Sequence, residues 1–101
     1  IQAMLADSQT ETYAASCMVQ DTAKRRDAGE NVATLAASCK LFATEMVGRV
    51  ADRAVQIFGG AGYVEDYGIE RFYRDVRLFR IYEGTSQIQQ TVIARDMLKN
   101  G

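Results

Sequence analysis

Apolar side chains recur at intervals of three and four residues along most of the chain, which is the spacing of one helical face. The pattern predicts four helices: residue 1 to about residue 26, residues 32–58, residues 69–79, and a fourth that follows an N-cap at Thr85 and runs to the end of the chain. Glycines mark the breaks between them, with Gly29 in the first connection and Gly59-Gly60 ending the second helix. The predicted fold class is therefore all-α: part of an up-and-down four-helix bundle with about three long helices and one short helix.

The same spacing predicts which side chains face inward. They are Ile1, Met4, Leu5, Ser8, Ala15, Met18 and Val19 in the first helix, Ile69, Phe72, Tyr73, Val76 and Phe79 in the third, and Ile88, Val92, Ala94 and Leu98 in the fourth. Asn31 and Thr85 are suitable N-caps, since their side-chain oxygens can accept a helix N–H. A second helix of about 27 residues would be ~40 Å long, more than the ~34 Å diameter of a compact domain of this size. We therefore expect an elongated bundle, or a larger assembly that covers the helix ends.

Composition narrows the possible chemistry. The 101 residues allow one domain, carry a net charge of −1, and include no proline and no histidine. Without histidine the chain lacks the most common general base and zinc ligand, and the near-neutral charge argues against nucleic acid and anionic membranes as partners. No apolar run reaches the ~20 residues of a membrane span. Cys17 and Cys39 lack metal-ligand spacing and are interpreted as small apolar residues of a protein from a reducing compartment.

A glycine-rich stretch, QIFGGAGYVEDYG, occupies residues 56–68. A dinucleotide-binding fingerprint requires a strand before its glycines and a helix directly after them, whereas here a helix precedes and a loop follows. Two interpretations remain. Gly59 or Gly60 can simply terminate the helix, or the whole GGAG sequence can let the backbone approach a ligand or another chain closely.

Arginines then follow at intervals of three, at Arg71, Arg74, Arg77 and Arg80. Arginines interleaved with aromatic residues can bind nucleic acid. The same window carries four acidic residues, namely Glu65, Asp66, Glu70 and Asp75. Because the charges balance, a solvated and ion-paired helix face is the better interpretation.

Glu83 lies in RIYEGTSQIQ, residues 80–89, between a tyrosine and a glycine and just before the predicted fourth helix. A carboxylate at this position can simply favour the positive end of the helix dipole. Alternatively, the connector can direct it into a cavity, where an apolar ligand would exclude water and make it a stronger base. These residues alone do not decide between the two.

Taken together, the motifs resemble the C-terminal helical domain of the flavin-dependent acyl-CoA dehydrogenases. The matching positions are Gln56, Gly59, Gly60, Gly62, Tyr63, Asp66, Arg71, Arg74, Asp75, residues 81–89, and Ile93-Ala94-Arg95. The alanine-rich stretch before them, with Lys40 and Glu45, fits the same family, so the resemblance covers essentially the whole chain. One departure is Gly68, where many relatives carry a proline.

The resemblance implies a reaction and a set of site residues. Glu83 is expected to remove the α-proton of an acyl-CoA thioester while the β-hydrogen passes as hydride to flavin N5 of FAD, giving the trans-2-enoyl-CoA. Gly84 is expected to border the thioester. Contacts to FAD are expected from Thr85, Ser86 and Gln87, and contacts to the FAD of a partner subunit from Gln56, Ile57, Phe58, Gly59 and Gly60. No metal is implied.

The resemblance also implies a molecular context. The family's subunit has an N-terminal helical domain, a middle β-domain and a C-terminal four-helix bundle, forms homotetramers, and passes electrons to an electron-transfer flavoprotein. The chain opens on Ile1 without an initiator methionine. We therefore expect a piece of such a subunit, inactive alone, that lacks the first bundle helix and both other domains. The bacterial cytoplasm or the mitochondrial matrix is the expected compartment.

Two alternatives stay open. The chain can belong to an acyl-CoA oxidase, which shares the bundle but returns electrons to oxygen. It can also be a helical module without catalysis that binds a partner through the former subunit interface. Acyl chain length and branching are not encoded in these residues.

Overall fold

The computed structural model of the chain describes residues 1–59, 68–81 and 85–100. Its elements are α1 (Gln2–Asp27), α2 (Ala33–Phe58), α3 (Ile69–Arg77), a 3₁₀ turn (Leu78–Arg80) that continues α3, and α4 (Ser86–Asn100). The all-α prediction is confirmed, and these residues contain no strand. Helices α1 and α2 have 26 residues each, α4 has 15 and α3 has 9, so three long helices and one short helix are present.

Helix α2 is the central element of the fold. Helix α1 packs on it, and so do α3, the 3₁₀ turn and α4. The molecule measures 48 × 24 × 22 Å and has a radius of gyration of 16.0 Å, whereas a compact domain of about 100 residues has a value of ~13 Å. The elongated shape expected from the length of the second helix is confirmed.

Two glycines end the long helices as the sequence predicts. Gly29 follows α1 with φ of 88°, a left-handed conformation that glycine adopts without strain, and its N–H donates to the carbonyl of Arg26 at 3.0 Å. Gly59 is the C-cap of α2, with φ of 61°, and its N–H donates to the carbonyl of Gln56. Gly60 lies outside the described residues.

The two predicted N-caps differ in their geometry. Thr85 is confirmed as the cap of α4, because its Oγ1 accepts the N–H of Ile88 at 3.2 Å. Asn31 Oδ1 accepts the N–H of Ala33 at 3.1 Å, but Val32 occupies the N-cap position. Because Asn31 bonds to the amide two residues ahead, as in an Asx turn, α2 begins one residue later than predicted.

The buried core is small and follows α2. Its apolar members are Ala15, Ala37, Met46, Ala51, Val55 and Val76. Gly48 of α2 is also buried. Most of these side chains are short, so the neighbouring helices can approach α2 closely. At the contact between α1 and α2, Thr22 Oγ1 lies 3.2 Å from Cys39 Sγ, and both cysteines of the chain are free thiols.

The predicted inward faces are only partly correct. The structure buries or half-buries Met4, Ser8, Ala15, Met18, Ile69, Tyr73 and Val76. It exposes Ile1, Leu5, Val19, Phe72, Phe79, Ile88, Val92, Ala94 and Leu98. In α4 the inward positions are instead Ser86, Gln89, Ile93 and Asp96. The side of α4 that packs on α2 carries the hydrogen bond from Ser86 to Glu45, and the predicted apolar stripe is exposed.

An ion-pair cluster joins α1 to α2. Arg53 Nη1 and Nη2 donate to the two carboxylate oxygens of Glu11 at 2.9 and 3.0 Å, and Arg49 Nε donates at 3.2 Å. The hydrogen bond from Arg53 lowers the pKa of Glu11, with the charges of both arginines adding to it and partial burial opposing it. The side chains of Arg53 and Glu11 are only 19% and 22% exposed. Water and salt therefore screen this bidentate pair less than an exposed one.

We predict that Glu11→Gln lowers the melting temperature of the chain by about 5 °C at neutral pH, because the charge of the carboxylate is lost. The pKa of Glu11 is lower in the folded state than its ordinary value of 4.5. Its contribution is therefore complete above that value and is lost as the pH falls through the folded-state pKa. Thermal melts followed by circular dichroism should show the difference between the two proteins disappearing as the pH falls well below 4.5.

The matched control is Asp21→Asn, which also replaces a carboxylate by an amide on α1. Asp21 pairs with Arg25 across one helical turn, and the side chains are 59% and 49% exposed. An exposed pair of this kind contributes little, so the melting temperature should stay unchanged. Equal melting temperatures of Glu11→Gln and the unmodified chain at neutral pH would contradict the role assigned to the cluster.

The outer side of α1 is unusually poor in charge. Among residues 1–20 only Asp7 and Glu11 are charged. Leu5, Tyr13 and Val19 are 58%, 60% and 50% exposed on this helix. Exposed apolar surface without charges to oppose contact favours association between proteins.

We predict that the isolated 101-residue chain self-associates through this surface. Sedimentation velocity should show oligomers whose proportion rises with concentration, and the double variant Leu5→Glu/Val19→Glu should shift the distribution toward monomer. Gln20→Glu adds a charge to the same helix without removing an apolar side chain and serves as the control. A monodisperse monomer of the unmodified chain would refute the prediction.

Candidate functional site

A pocket forms where the middle of α2, the end of α3 with its 3₁₀ turn, and the start of α4 meet. Its volume is about 180 Å³, and it is lined by Glu45, Arg77, Ile81, Thr85, Ser86 and Gln87. Three of these residues, Thr85, Ser86 and Gln87, are the ones predicted to contact FAD. The fold therefore gathers this part of the predicted site around one opening.

The start of α4 is tied to α2 by a side-chain hydrogen bond. Ser86 is the first residue of α4 and is only 5% exposed. Its hydroxyl donates to Glu45 Oε1 at 2.6 Å, a short distance that is typical of hydrogen bonds to carboxylates. Since Glu45 lies in the middle of the central helix, this bond fixes the wall of the pocket to the most extensively packed element of the fold.

A second side chain of α2, that of Lys40, holds the 3₁₀ turn, which precedes the connection to α4. Lys40 Nζ donates to the backbone carbonyl of Phe79 at 3.0 Å. Phe79 belongs to the 3₁₀ turn, and carbonyls near the end of a helical segment need partners from outside it. Lys40 and Glu45 are five residues apart, about 7.5 Å along α2. Helix α2 thus contacts the chain both before and after residues 80–85.

The electrostatics of the pocket suit an anionic group. The first N–H groups of α4 have no acceptor within the helix, and the aligned peptide dipoles give this end a partial positive charge. Arg77 adds a guanidinium to the wall, while the Glu45 carboxylate accepts the Ser86 hydroxyl. A helix start of this kind binds phosphate groups readily. The residues present therefore fit the pyrophosphate of FAD.

The other predicted FAD contacts lie at the far end of α2. Gln56, Ile57 and Phe58 form its last turn, followed by Gly59; Gln56 and Phe58 are exposed and Ile57 is half-buried. Gln56 is eleven residues beyond Glu45, which is about 16 Å along the helix. The chain does not bring the two predicted groups together, so they form two separate regions.

Three of the predicted site residues, Glu83, Gly84 and Gly60, lie outside the described residues. Their roles stay predictions. In the sequence Glu83 stands two residues from Ile81 and two from Thr85, and both of these line the pocket. The connection that carries Glu83 therefore begins and ends at the pocket wall.

Three residues at this pocket, Glu45, Arg77 and Ile81, were not identified as site residues from the sequence. Arg77 belongs to the arginine series interpreted as a solvated face, yet the structure puts it on the pocket wall. Glu45 fits the family but was given no role, although a carboxylate among mostly apolar residues between Leu41 and Val47 is a usable signal. Helical spacing alone cannot identify such contacts, because they depend on which element packs opposite.

A second open pocket of about 390 Å³ is lined by Gly48, Arg49, Asp52, Arg53 and Tyr73. None of the predicted site residues lines it, and its two arginines are paired with Glu11. Within the described ranges, 1–59, 68–81 and 85–100, no group of three or more His, Cys, Asp or Glu side chains could hold a metal ion. In the same ranges no helix is both long enough and apolar enough to cross a membrane.

Sequence comparison places the chain among known enzymes. The family model described as acyl-CoA dehydrogenase, C-terminal domain, matches residues 1–98. The chain is 48% identical over 99 residues to a 3-(aryl)acrylate reductase of Clostridium sporogenes, and 45% identical over 96 residues to the caffeyl-CoA reductase–Etf complex subunit CarC of Acetobacterium woodii. These matches cover 98% and 95% of the chain but 26% and 25% of the relatives, so the chain spans about a quarter of their length.

Comparison of folds gives the same result. The butyryl-CoA dehydrogenase of Megasphaera elsdenii matches with a TM-score of 0.91 and 37% identity, over 96% of this chain and 25% of that one. The resemblance that the GGAGY and YEGTS motifs carry is therefore confirmed by sequence and by fold. The chain belongs to the acyl-CoA dehydrogenase family and corresponds to its C-terminal domain.

Proposed function

We propose that this chain is the C-terminal bundle of an FAD-dependent oxidoreductase that interconverts an acyl-CoA thioester and its trans-2-enoyl-CoA. The observation that carries the proposal is the pocket at the start of α4, which joins Thr85, Ser86 and Gln87 to the ends of the segment holding Glu83. Family membership supports the reaction class. The similar proteins named above are a dehydrogenase and two reductases, so both directions of the reaction are within the proposal.

Glu83 is the proposed acid–base residue. In the direction of dehydrogenation its carboxylate takes the α-proton of the thioester, and an acyl chain that excludes water makes the carboxylate a stronger base. FAD, when bound, supplies the acceptor for the hydride that leaves the β-carbon. In the reductive direction the protonated Glu83 returns the proton to the α-carbon. Gly84, which has no side chain, leaves room for the thioester beside it.

The cofactor is proposed to contact the chain in two regions. Thr85, Ser86 and Gln87, together with Arg77, offer N–H groups and positive charge to the pyrophosphate of one FAD. The segment Gln56–Gly60 is proposed to approach the FAD of a partner subunit in a homotetramer. Apart from its chain neighbours, no described residue has an atom within 4 Å of the position that a Cβ on Gly59 would occupy, which leaves room for another molecule on that side.

The chain covers only about a quarter of each curated relative. Most contacts to FAD and acyl-CoA would then come from other parts of the subunit, and we propose that the 101 residues alone are inactive. An electron-transfer flavoprotein is the proposed redox partner of the complete enzyme. The similarity to a subunit named as part of a reductase–Etf complex supports this partner.

We predict that Glu83→Gln in the complete enzyme retains FAD but reduces the rate of flavin reduction by acyl-CoA about 10²- to 10⁴-fold, the usual contribution of a general base. Glutamine keeps the size of the side chain but cannot accept the α-proton. Anaerobic stopped-flow absorbance measures the bleaching of the flavin, with saturated acyl-CoA thioesters of several chain lengths as substrates.

Glu30→Gln is the matched control, because it is the same substitution in the connection between α1 and α2, where Glu30 pairs with Arg25 at 3.5 Å. Its rate of flavin reduction should equal that of the unmodified enzyme. An unchanged rate in Glu83→Gln would remove Glu83 from the proposed role. A colourless complete protein that binds no FAD would refute the enzymatic proposal and leave the non-catalytic module.

The electron acceptor separates a dehydrogenase or reductase from an oxidase. We predict that the complete enzyme, once reduced by acyl-CoA, is reoxidised rapidly by an electron-transfer flavoprotein and only slowly by oxygen. An oxygen electrode and the absorbance of the partner flavin measure the two rates side by side. Turnover with stoichiometric consumption of oxygen, and no transfer to the flavoprotein, would identify an oxidase instead.

A further inference from the structure

We propose that Lys40 and Glu45 are positioning residues for the reaction, because together they hold both ends of the connector, defined as residues 80–85, that carries Glu83. The proposal rests on the acid–base role proposed above for Glu83. It is carried by two contacts from one helix: Lys40 Nζ with the Phe79 carbonyl at 3.0 Å before the connector, and Glu45 Oε1 with the Ser86 hydroxyl at 2.6 Å after it.

The contact after the connector is short and largely shielded from water. Ser86 is 5% exposed and Glu45 is half-buried, so the hydrogen bond exchanges little with solvent. A hydrogen bond from a hydroxyl to a carboxylate is about twice as strong as one between neutral groups. It acts on the first residue of α4, where Thr85 also caps the helix. The position of Ser86 therefore follows the position of Glu45.

The contact before the connector is a hydrogen bond from a side chain to the backbone. Lys40 is half-buried, and its ammonium reaches the carbonyl of Phe79 within the 3₁₀ turn. Three-residue turns of this type are less stable than α-helix, so an external donor strengthens this one. Both anchors come from α2, which packs against every other helix, so the separation of the two ends is set by a rigid element.

The two anchored positions, Phe79 and Ser86, lie close to Glu83 in the sequence, which links the anchors to the chemistry. Glu83 is four residues after Phe79 and three before Ser86, so only two residues separate it from the nearer anchor. Proton abstraction requires the base within hydrogen-bond distance of the proton, and a misplacement of about 1 Å can cost about 10²-fold in rate. Anchoring both ends limits the positions that the carboxylate of Glu83 can take.

The test uses the complete enzyme with excess FAD and compares Lys40→Met, Glu45→Ala, Glu45→Gln and Ser86→Ala. Methionine keeps the length of the Lys40 side chain without its donor, and glutamine at Glu45 keeps an acceptor for the Ser86 hydroxyl. We expect the rate constant of flavin reduction at saturating acyl-CoA to fall about 10- to 100-fold in Lys40→Met, Glu45→Ala and Ser86→Ala. Glu45→Gln should stay within about threefold of the unmodified enzyme.

The same experiment separates positioning from simple destabilisation. A positioning role predicts that, in Lys40→Met and Glu45→Ala, FAD content and the dissociation constant of a non-reacting acyl-CoA analogue stay within about twofold while the rate constant falls. The double variant Glu45→Ala/Ser86→Ala should be no slower than the slower single variant, because each substitution breaks the same hydrogen bond between Ser86 and Glu45. Asp52→Ala, an exposed carboxylate on α2 that lines only the other pocket, should not change the rate.

Normal rates in Lys40→Met and Glu45→Ala would overturn the proposal, and so would additive losses in the double variant. A parallel fall of rate, FAD content and analogue binding would also overturn it, since that result indicates general destabilisation. Glu83→Gln, measured in the same series, tells the two hypotheses apart. If it reduces flavin normally, the role of Glu83 fails; if it is inactive while the anchor variants react normally, only the anchoring fails.

Discussion

The close approach of all other helices to α2 is the constraint on which the structure depends. A helix with buried Ala37, Gly48 and Ala51 offers little side-chain volume at its contacts, so its neighbours can lie near its backbone. Among residues 1–59, 68–81 and 85–100, the resulting core contains no large, fully buried side chain. Polar contacts therefore have a larger part than usual in fixing the geometry, through the Glu11–Arg53 pair on one side of α2 and the Glu45–Ser86 bond on the other.

The sequence predicts the helices well because their signals are local. Gly29, Gly59 and Thr85 act within one turn of the backbone, and the structure confirms all three. The inward faces are less predictable, because they depend on which element packs opposite. In α4 the apolar spacing points to Ile88 and Val92, yet the side facing α2 begins at Ser86. The hydrogen bond from Ser86 to Glu45 lies on this side, and the periodicity of apolar residues cannot predict it.

In the functional site too, the residues of a local motif were predictable from the sequence, whereas the contacts between helices were not. Thr85, Ser86 and Gln87 were assigned through the motif that they share with the family, and the structure gathers them at one pocket. The contribution of Glu45 and Arg77 could not be predicted by spacing, because both come to the pocket from other helices. The exposed apolar stripe of α4 has a plausible physical origin in the proposed context: residues that face away from α2 would be covered by the remainder of a longer subunit or by its neighbours.

The two thiols differ in exposure, so their reactivity can report whether the outer surface of α1 is covered. Cys17 is exposed on α1, one turn after Tyr13, whereas Cys39 is half-buried and lies 3.2 Å from the Thr22 hydroxyl. A thiol reagent will therefore modify Cys17 much faster than Cys39 in any form of the protein that leaves α1 uncovered. Slow modification of Cys17 in the intact enzyme would show that neighbouring polypeptide shields this part of α1.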